Sequence, residues 1–218
     1  MMPSSDYEAL ASAVRNLHDT WAVWNHCFYE SSSNEAFEAY RQTAVDVFGF
    51  AYNEIFAGVV LGLARLSDRL EVCGNENITL ERVFEGTDFT GHEGWKQAAQ
   101  NAMSEALLIL RGKDFRQLRD KRLAHHDRAV AIGTEKPPKI EIDLIRKGVR
   151  WAVQFCDRIN GVEQEPGRPV YDDGPFAREC AERDQEILVQ AKRLVERLRA
   201  SEELTQSGPL PERRGHFV

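Results

Sequence analysis

The side chains best suited to chemistry lie in one basic segment near the middle of the chain, residues 111–128. It reads RGKDFRQLRDKRLAHHDR and contains two adjacent histidines, His125 and His126. Seven of its residues are Lys or Arg and three are Asp, whereas the whole chain has 35 acidic and 28 basic residues and a net charge of −7. The segment is therefore a local reversal of charge, and any contact with a polyanion is expected there.

Arg119 and one of the two histidines could together cleave RNA without a metal ion. A guanidinium grips a phosphate through two planar hydrogen bonds and stabilises the charge that builds on it. A histidine with its ordinary pKa of ~6.5 can transfer a proton at neutral pH and so assist attack by the ribose 2′-hydroxyl. On a helix, His126 lies two turns beyond Arg119 on nearly the same face, whereas His125 diverges by about a third of a turn. DNA lacks the hydroxyl, so this chemistry would select RNA.

The same residues also have a purely structural interpretation. A run of charges is usually a solvated helix face, and arginine and histidine occur at helical spacing in many helical bundles. A histidine near the end of a helix, such as His125, is also stabilised by the helix dipole. The residue types alone therefore leave both a catalytic and a structural role open.

Three pieces of the sequence resemble one family of helical proteins. The order Arg119-Asp120, four residues, His125 resembles the signature of the HEPN superfamily, in which an Arg and a polar residue precede a His. The fuller string RDKRLAHHD looks like the abortive-infection AbiU-type branch of that superfamily. The pieces LGLARLSD (61–68) and NITLERV (77–83) are similar to the same branch and occur in the same order.

The resemblance covers roughly residues 36–159 and implies a helical bundle that dimerises to form one composite, metal-independent RNA site. It implies that Arg119 stabilises the phosphate, that His125 is the acid and base, and that Asp120 orients the pair. His126 also fits the spacing and lies better on the arginine face, so the choice between the two histidines stays open. The basic residues expected to line the RNA path are Lys113, Arg116, Lys121, Arg122 and Arg128.

Apolar residues at helical spacing predict an all-α, mainly antiparallel bundle of four long helices with short helices and a C-terminal helix. The long helices are expected at about 5–30, 34–68, 95–125 and 141–160, with an interruption of the third at Gly112 and an end of the fourth at Gly161. The second is apolar nearly all round from Phe48 onward, so we expect it to be buried on several sides, with Gly58 and Gly62 letting a neighbouring helix approach closely. We expect residues 1–161 to form the HEPN-like bundle and 162–175 a linker. A C-terminal helix is expected at 176–200 and a mobile tail at 201–218.

Composition excludes several classes of protein. The four cysteines are widely separated and form no CxxC pair, which suits a reduced cytoplasmic chain without a structural metal, and no cofactor is implied. No signal peptide is visible at the start. The most apolar stretch, residues 55–64, is shorter than the ~20 residues that span a bilayer, so no membrane segment is predicted.

Two functions are consistent with these features. The first is a homodimeric, metal-independent endoribonuclease of a phage-defence or toxin–antitoxin type, with RNA as substrate and an antitoxin or other protein as a further partner. The second is a non-catalytic helical module that binds RNA, a nucleotide or a protein through the same basic segment.

Overall fold

The computed structural model describes residues 5–29, 34–72, 75–120, 142–164 and 174–207. In chain order its elements are α1 (Ser5–Trp24), a π-helical turn (Asn25–Tyr29), α2 (Asn34–Leu66), β1 (Glu71–Val72), β2 (Asn75–Glu76), α3 (Leu80–Gly86), α4 (Glu93–Leu110), α5 (Lys113–Gln117), α6 (Ile142–Gln164) and α7 (Pro175–Ser207). The two short strands pair antiparallel, with Glu71 opposite Glu76. Apart from this pair the regular structure of the described residues is helical, so the predicted all-α class is confirmed.

The core lies between α1, α2, α4 and α6, and small residues let these helices pack closely. A side chain at Gly62 of α2 would lie 3.1 Å from Leu17 of α1, and one at Gly148 of α6 would contact Leu63 and Leu110. The prediction that Gly62 permits a close helix approach is therefore confirmed. Gly148 joins α6 to α2 and to the end of α4, which leads into the basic segment.

Gly161 has a different role from the one that its position in the sequence indicates. We predicted that it ends the fourth long helix, where glycine is the usual terminal residue. Instead α6 continues to Gln164, and a Cβ atom at Gly161 would lie 2.5 Å from the indole ring of Trp95. The glycine is needed because the tryptophan of α4 packs directly on the α6 backbone.

The middle of α2 departs from the expectation that the helix is buried on several sides from Phe48 onward. Val47, Phe50 and Tyr52 are 65%, 68% and 37% exposed, and none of residues 46–55 is buried, whereas Tyr40 before them and Phe56 after them are. An apolar sequence predicts that a helix face is removed from water, but it does not show whether other residues of the same chain pack against that face. The prediction is wrong for residues 48–55.

By length and hydropathy alone, one helical segment among the described residues, Asp46–Leu66, could span a membrane. The estimate from the uncharged stretch 55–64 therefore understates its apolar length. Val59, Val60 and Leu63 in its second half are fully buried in the bundle. Only 28% of the apolar window is buried, so packing in the bundle accounts for the second half of the segment and not for the exposed Val47 and Phe50.

The start of α7 is fixed by a buried carboxylate on α6. Asp157 is 2% exposed, and its two oxygens accept hydrogen bonds from the backbone N–H groups of Gly174 (2.7 Å) and Phe176 (3.1 Å). Arg158, also buried, lies 3.9 Å from the same carboxylate. These bonds satisfy N–H groups at the start of a helix, which have no partner inside it. The helix then runs to Ser207, beyond its predicted end.

Candidate functional site

The basic segment begins with a short helix that is anchored to the bundle by its apolar side. Helix α4 ends at Leu110, and Gly112 then separates it from α5, as predicted. Phe115 and Leu118 are 2% and 0% exposed, so they hold α5 and the following turn against the core. Arg116, Arg119 and Asp120 are therefore held at the surface by the packing of these two apolar side chains.

Arg119 lies at the edge of this surface and is held by two carboxylates. Its Nε donates a 2.7 Å hydrogen bond to Asp120, and its Nη1 lies 3.9 Å from an oxygen of Asp68. The longer distance is an ion pair without a direct hydrogen bond. About a third of the Arg119 side chain is exposed, so the guanidinium is oriented while part of it still faces solvent.

A second arginine joins α4 to α3 beside this position. Arg111 donates to both oxygens of Glu81, at 2.8 and 2.6 Å, and more weakly to the backbone oxygen of Ser67 at 3.4 Å. The hydrogen bonds to Glu81 raise the pKa of the Arg111 side chain. A bidentate pair of this kind fixes the relative orientation of its two helices.

The loop before α3 is fastened by its own polar side chains. Asn77 donates from its side-chain amide to the backbone oxygen of Arg69 at 2.8 Å. Thr79 caps α3 by accepting from the N–H of Arg82, whose guanidinium in turn binds Asp6 (2.9 Å) and Glu76 (2.6 Å). Hydrogen bonding to Asp6 and the nearby charge of Glu76 raise the pKa of Arg82.

These contacts bring three separate stretches of sequence, 61–68, 77–83 and 111–120, to one place. We call it the Arg119 corner, defined by Ser67, Asp68, Glu81, Arg111, Arg119 and Asp120. The first two stretches are pieces on which the family resemblance was based, and the third contains Arg119 and Asp120, the first two residues of the remaining piece. Their meeting was not predicted, and Asp68 was not recognised as a partner of Arg119. The one feature of the sequence that could have indicated this partner is that the piece 61–68 ends with Asp68.

The structure places some of the predicted site residues and not others. Arg119 and Asp120 are in contact, and Lys113 and Arg116 are exposed on α5. The remaining predicted residues, His125, His126, Lys121, Arg122 and Arg128, lie outside the described residues. The pairing of Arg119 with a histidine therefore stays a prediction. Among the residues that the structure describes, no group of three or more His, Cys, Asp or Glu side chains could hold a metal ion.

The described part of the basic segment is less basic than its sequence indicates. Its four cations, Arg111, Lys113, Arg116 and Arg119, are matched in number by Asp68 and Glu81 together with two aspartates of the segment itself. Formal charges cancel within this set. In the sequence, residues 121–128 add three Lys or Arg and one Asp.

Comparison with protein families, with curated proteins and with solved structures finds no match to this chain. The interpretation of the corner therefore rests on its residues and their geometry.

Proposed function

We propose that the chain is a metal-independent endoribonuclease that uses Arg119 and His125 in a composite site formed by two copies of an HEPN-like bundle. The observation that carries the proposal is the position of Arg119. About a third of its side chain is exposed, Asp68 and Asp120 orient it, and it lies in the turn that follows α5, whose apolar side is buried. The resemblance to phage-defence proteins implies a cytoplasmic enzyme with RNA as its substrate and an antitoxin or other protein as a further partner.

The proposed reaction needs no group beyond the protein and RNA. His125, or His126 in its place, accepts the proton of a ribose 2′-hydroxyl, and the oxygen attacks the adjacent phosphorus. The bond from phosphorus to the 5′-oxygen breaks, and a histidine returns a proton to that oxygen. A guanidinium has five N–H donors, and Asp120 occupies one of them, so Arg119 retains donors for the charged phosphoryl oxygens. The products are a 2′,3′-cyclic phosphate and a 5′-hydroxyl end.

Cleavage of a single-stranded RNA in EDTA tests this function. We expect Arg119→Ala and His125→Ala each to reduce the rate at least ~100-fold, as is typical when a charge-stabilising or proton-transferring group is removed. The matched control is Arg178→Ala, because Arg178 is an exposed arginine of α7 away from the corner. RNA carrying a 2′-deoxy sugar at the cleaved position should be resistant. Cleavage that survives both Arg119→Ala and substitution of the two histidines would refute the proposal.

The second candidate is a non-catalytic binding module, and one observation favours it. Arg119 already has two carboxylate neighbours, and the Arg119 corner contains two arginines and three carboxylates. A guanidinium held in this way could serve structure alone. RNA binding that weakens steeply with salt, without any turnover, would select this alternative.

A further inference from the structure

A cleft of about 540 Å³ lies between α1, α6 and α7, on the side of α6 that faces away from α4. A Cβ atom at Gly148 of α6 would face Leu63 of α2 and Leu110 of α4. Arg146 and Arg150 line the cleft, and each is two residues from Gly148 and so about 200° around the helix from it. The cleft is therefore distinct from the Arg119 corner, to which α4 leads.

One wall of the cleft carries two arginines one helical turn apart. Arg146 is 45% exposed and donates a 2.8 Å hydrogen bond to Asp143. Arg150 is exposed and has no hydrogen bond or ion pair with any residue that the structure describes. Two guanidinium groups at this spacing can bind one phosphate from two directions. Gln154, a further turn along the same wall, adds an amide that both donates and accepts.

The floor of the cleft is apolar except for one histidine. Trp21, Val149 and Val153 are buried residues that line it. His18 lies beside them, and its Nδ1 is buried without a hydrogen-bond partner, the nearest carboxylate oxygen of Asp19 being 3.9 Å away. A buried polar atom in this state gains when a ligand supplies the missing partner.

The opposite wall, from α7, carries a single carboxylate that is already engaged. Asp184 receives a 3.1 Å hydrogen bond from Nε2 of His26, whose side chain is only 6% exposed. The remaining residues of this wall are Ala177, Cys180 and Ala181. The cleft is lined by two arginines and one carboxylate, and Asp143 pairs with Arg146, so Arg150 is the lining arginine without a carboxylate partner among the described residues. The floor and the α7 wall are largely apolar.

We propose that this cleft binds a nucleoside monophosphate. The phosphate would contact Arg146 and Arg150, the planar base would lie against Trp21 and Val153, and Gln154 would hydrogen-bond to the base edge. The volume falls within the ~300–1,000 Å³ typical of small-molecule sites. An arginine pair is suited to bind a phosphate, and an apolar floor is suited to contact a base. A nucleotide is a ligand that would use both features of the cleft.

Calorimetric titration of the full-length chain with AMP, GMP, CMP and UMP tests the proposal, with inorganic phosphate as comparator. At least one nucleotide should bind in the micromolar to low millimolar range and more tightly than phosphate alone. Arg150→Gln should weaken that nucleotide about tenfold, as expected for the loss of a charge-assisted hydrogen bond. The matched control Arg193→Gln, an exposed arginine of α7 outside the cleft, should leave binding unchanged.

Three results would overturn it: no binding of any nucleotide at millimolar concentration, binding no tighter than that of phosphate, or equal effects of Arg150→Gln and Arg193→Gln. The site is independent of the proposed RNA cleavage. Arg119→Ala should retain nucleotide binding, and circular dichroism of Arg150→Gln should show the same fold as the unsubstituted chain.

Discussion

At the scale of single residues, the sequence indicated which arginine to consider but not what holds it. Arg119 and Asp120 are neighbours in the chain, so their contact could be expected. Asp68 follows the end of α2, and its position near Arg119 arises only when the turn after α2 and the turn after α5 come together in the fold. Local patterns carry no information about such a distance. The orientation of the guanidinium is therefore a property of the fold.

Asp68→Asn tests whether that contact orients Arg119 for cleavage. The side chain is 40% exposed, and an exposed ion pair contributes at most ~1 kcal/mol, so the melting temperature should barely change. Loss of the negative charge should strengthen RNA binding a few-fold, whereas single-turnover cleavage should fall about tenfold because the guanidinium is less well oriented. Asp114→Asn on exposed α5 is the control. Equal effects of the two substitutions on cleavage would exclude a positioning role for Asp68.

His18 makes the stability of the protein depend on pH. Burial lowers its pKa below the ordinary value of 6.5, and this outweighs the opposing influence of Asp184 and Asp19, while the nearby His26 lowers it further. Because the folded state binds this proton less readily than the unfolded state, His18 costs no stability above pH ~6.5. The free energy of unfolding should fall as the pH drops below that value.

Urea unfolding at pH 7.5 and pH 5.5 measures this effect. The unsubstituted chain should lose stability at the lower pH, and His18→Gln should lose less. His92→Gln, at the partly buried residue that precedes α4 and makes no side-chain capping hydrogen bond, is the control and should keep the full pH dependence. An unchanged pH dependence in His18→Gln would contradict the assignment.

At the scale of helices, apolar periodicity predicted most of the helices and their buried faces. The predictions failed where contacts between distant residues determine a helix end or its anchoring. The stripes of α1, α4 and α6 are buried as expected, and the break at Gly112 is present. The role of Gly161 was misjudged because the ring of Trp95 lies far from it in sequence. The anchoring of α7 could not be predicted either, since it depends on one aspartate buried in another helix.

Asp157→Ala tests that anchor. The substitution leaves the N–H groups of Gly174 and Phe176 buried without an acceptor, which should cost about 2–3 kcal/mol for hydrogen bonds to a charged group. Hydrogen exchange should accelerate first in the opening turns of α7, and Asp157→Asn should retain part of the protection. Asp143→Ala, at an exposed position of the same helix, should have little effect. Protection of α7 that is unchanged in Asp157→Ala would show that other contacts hold this helix.

At the scale of the whole molecule, the charge balance constrains how the Arg119 corner could work. The chain is acidic overall, and the Arg119 corner itself contains two arginines and three carboxylates. In the sequence, residues 121–128 add three Lys or Arg and one Asp. In the composite site that the resemblance implies, one RNA strand would meet these cations from two copies. We therefore expect cleavage to require both copies.

Mixing active and inactive copies measures this requirement. Unsubstituted protein is combined with Arg119→Ala protein at constant total concentration, and subunits are allowed to exchange. If each site needs Arg119 from both copies, activity should fall with the square of the unsubstituted fraction, so an equal mixture retains about a quarter of the rate. Mixtures with the active Arg178→Ala control should retain all of it. A linear fall would mean that one copy holds a complete site, and the role of the dimer in cleavage would have to be abandoned.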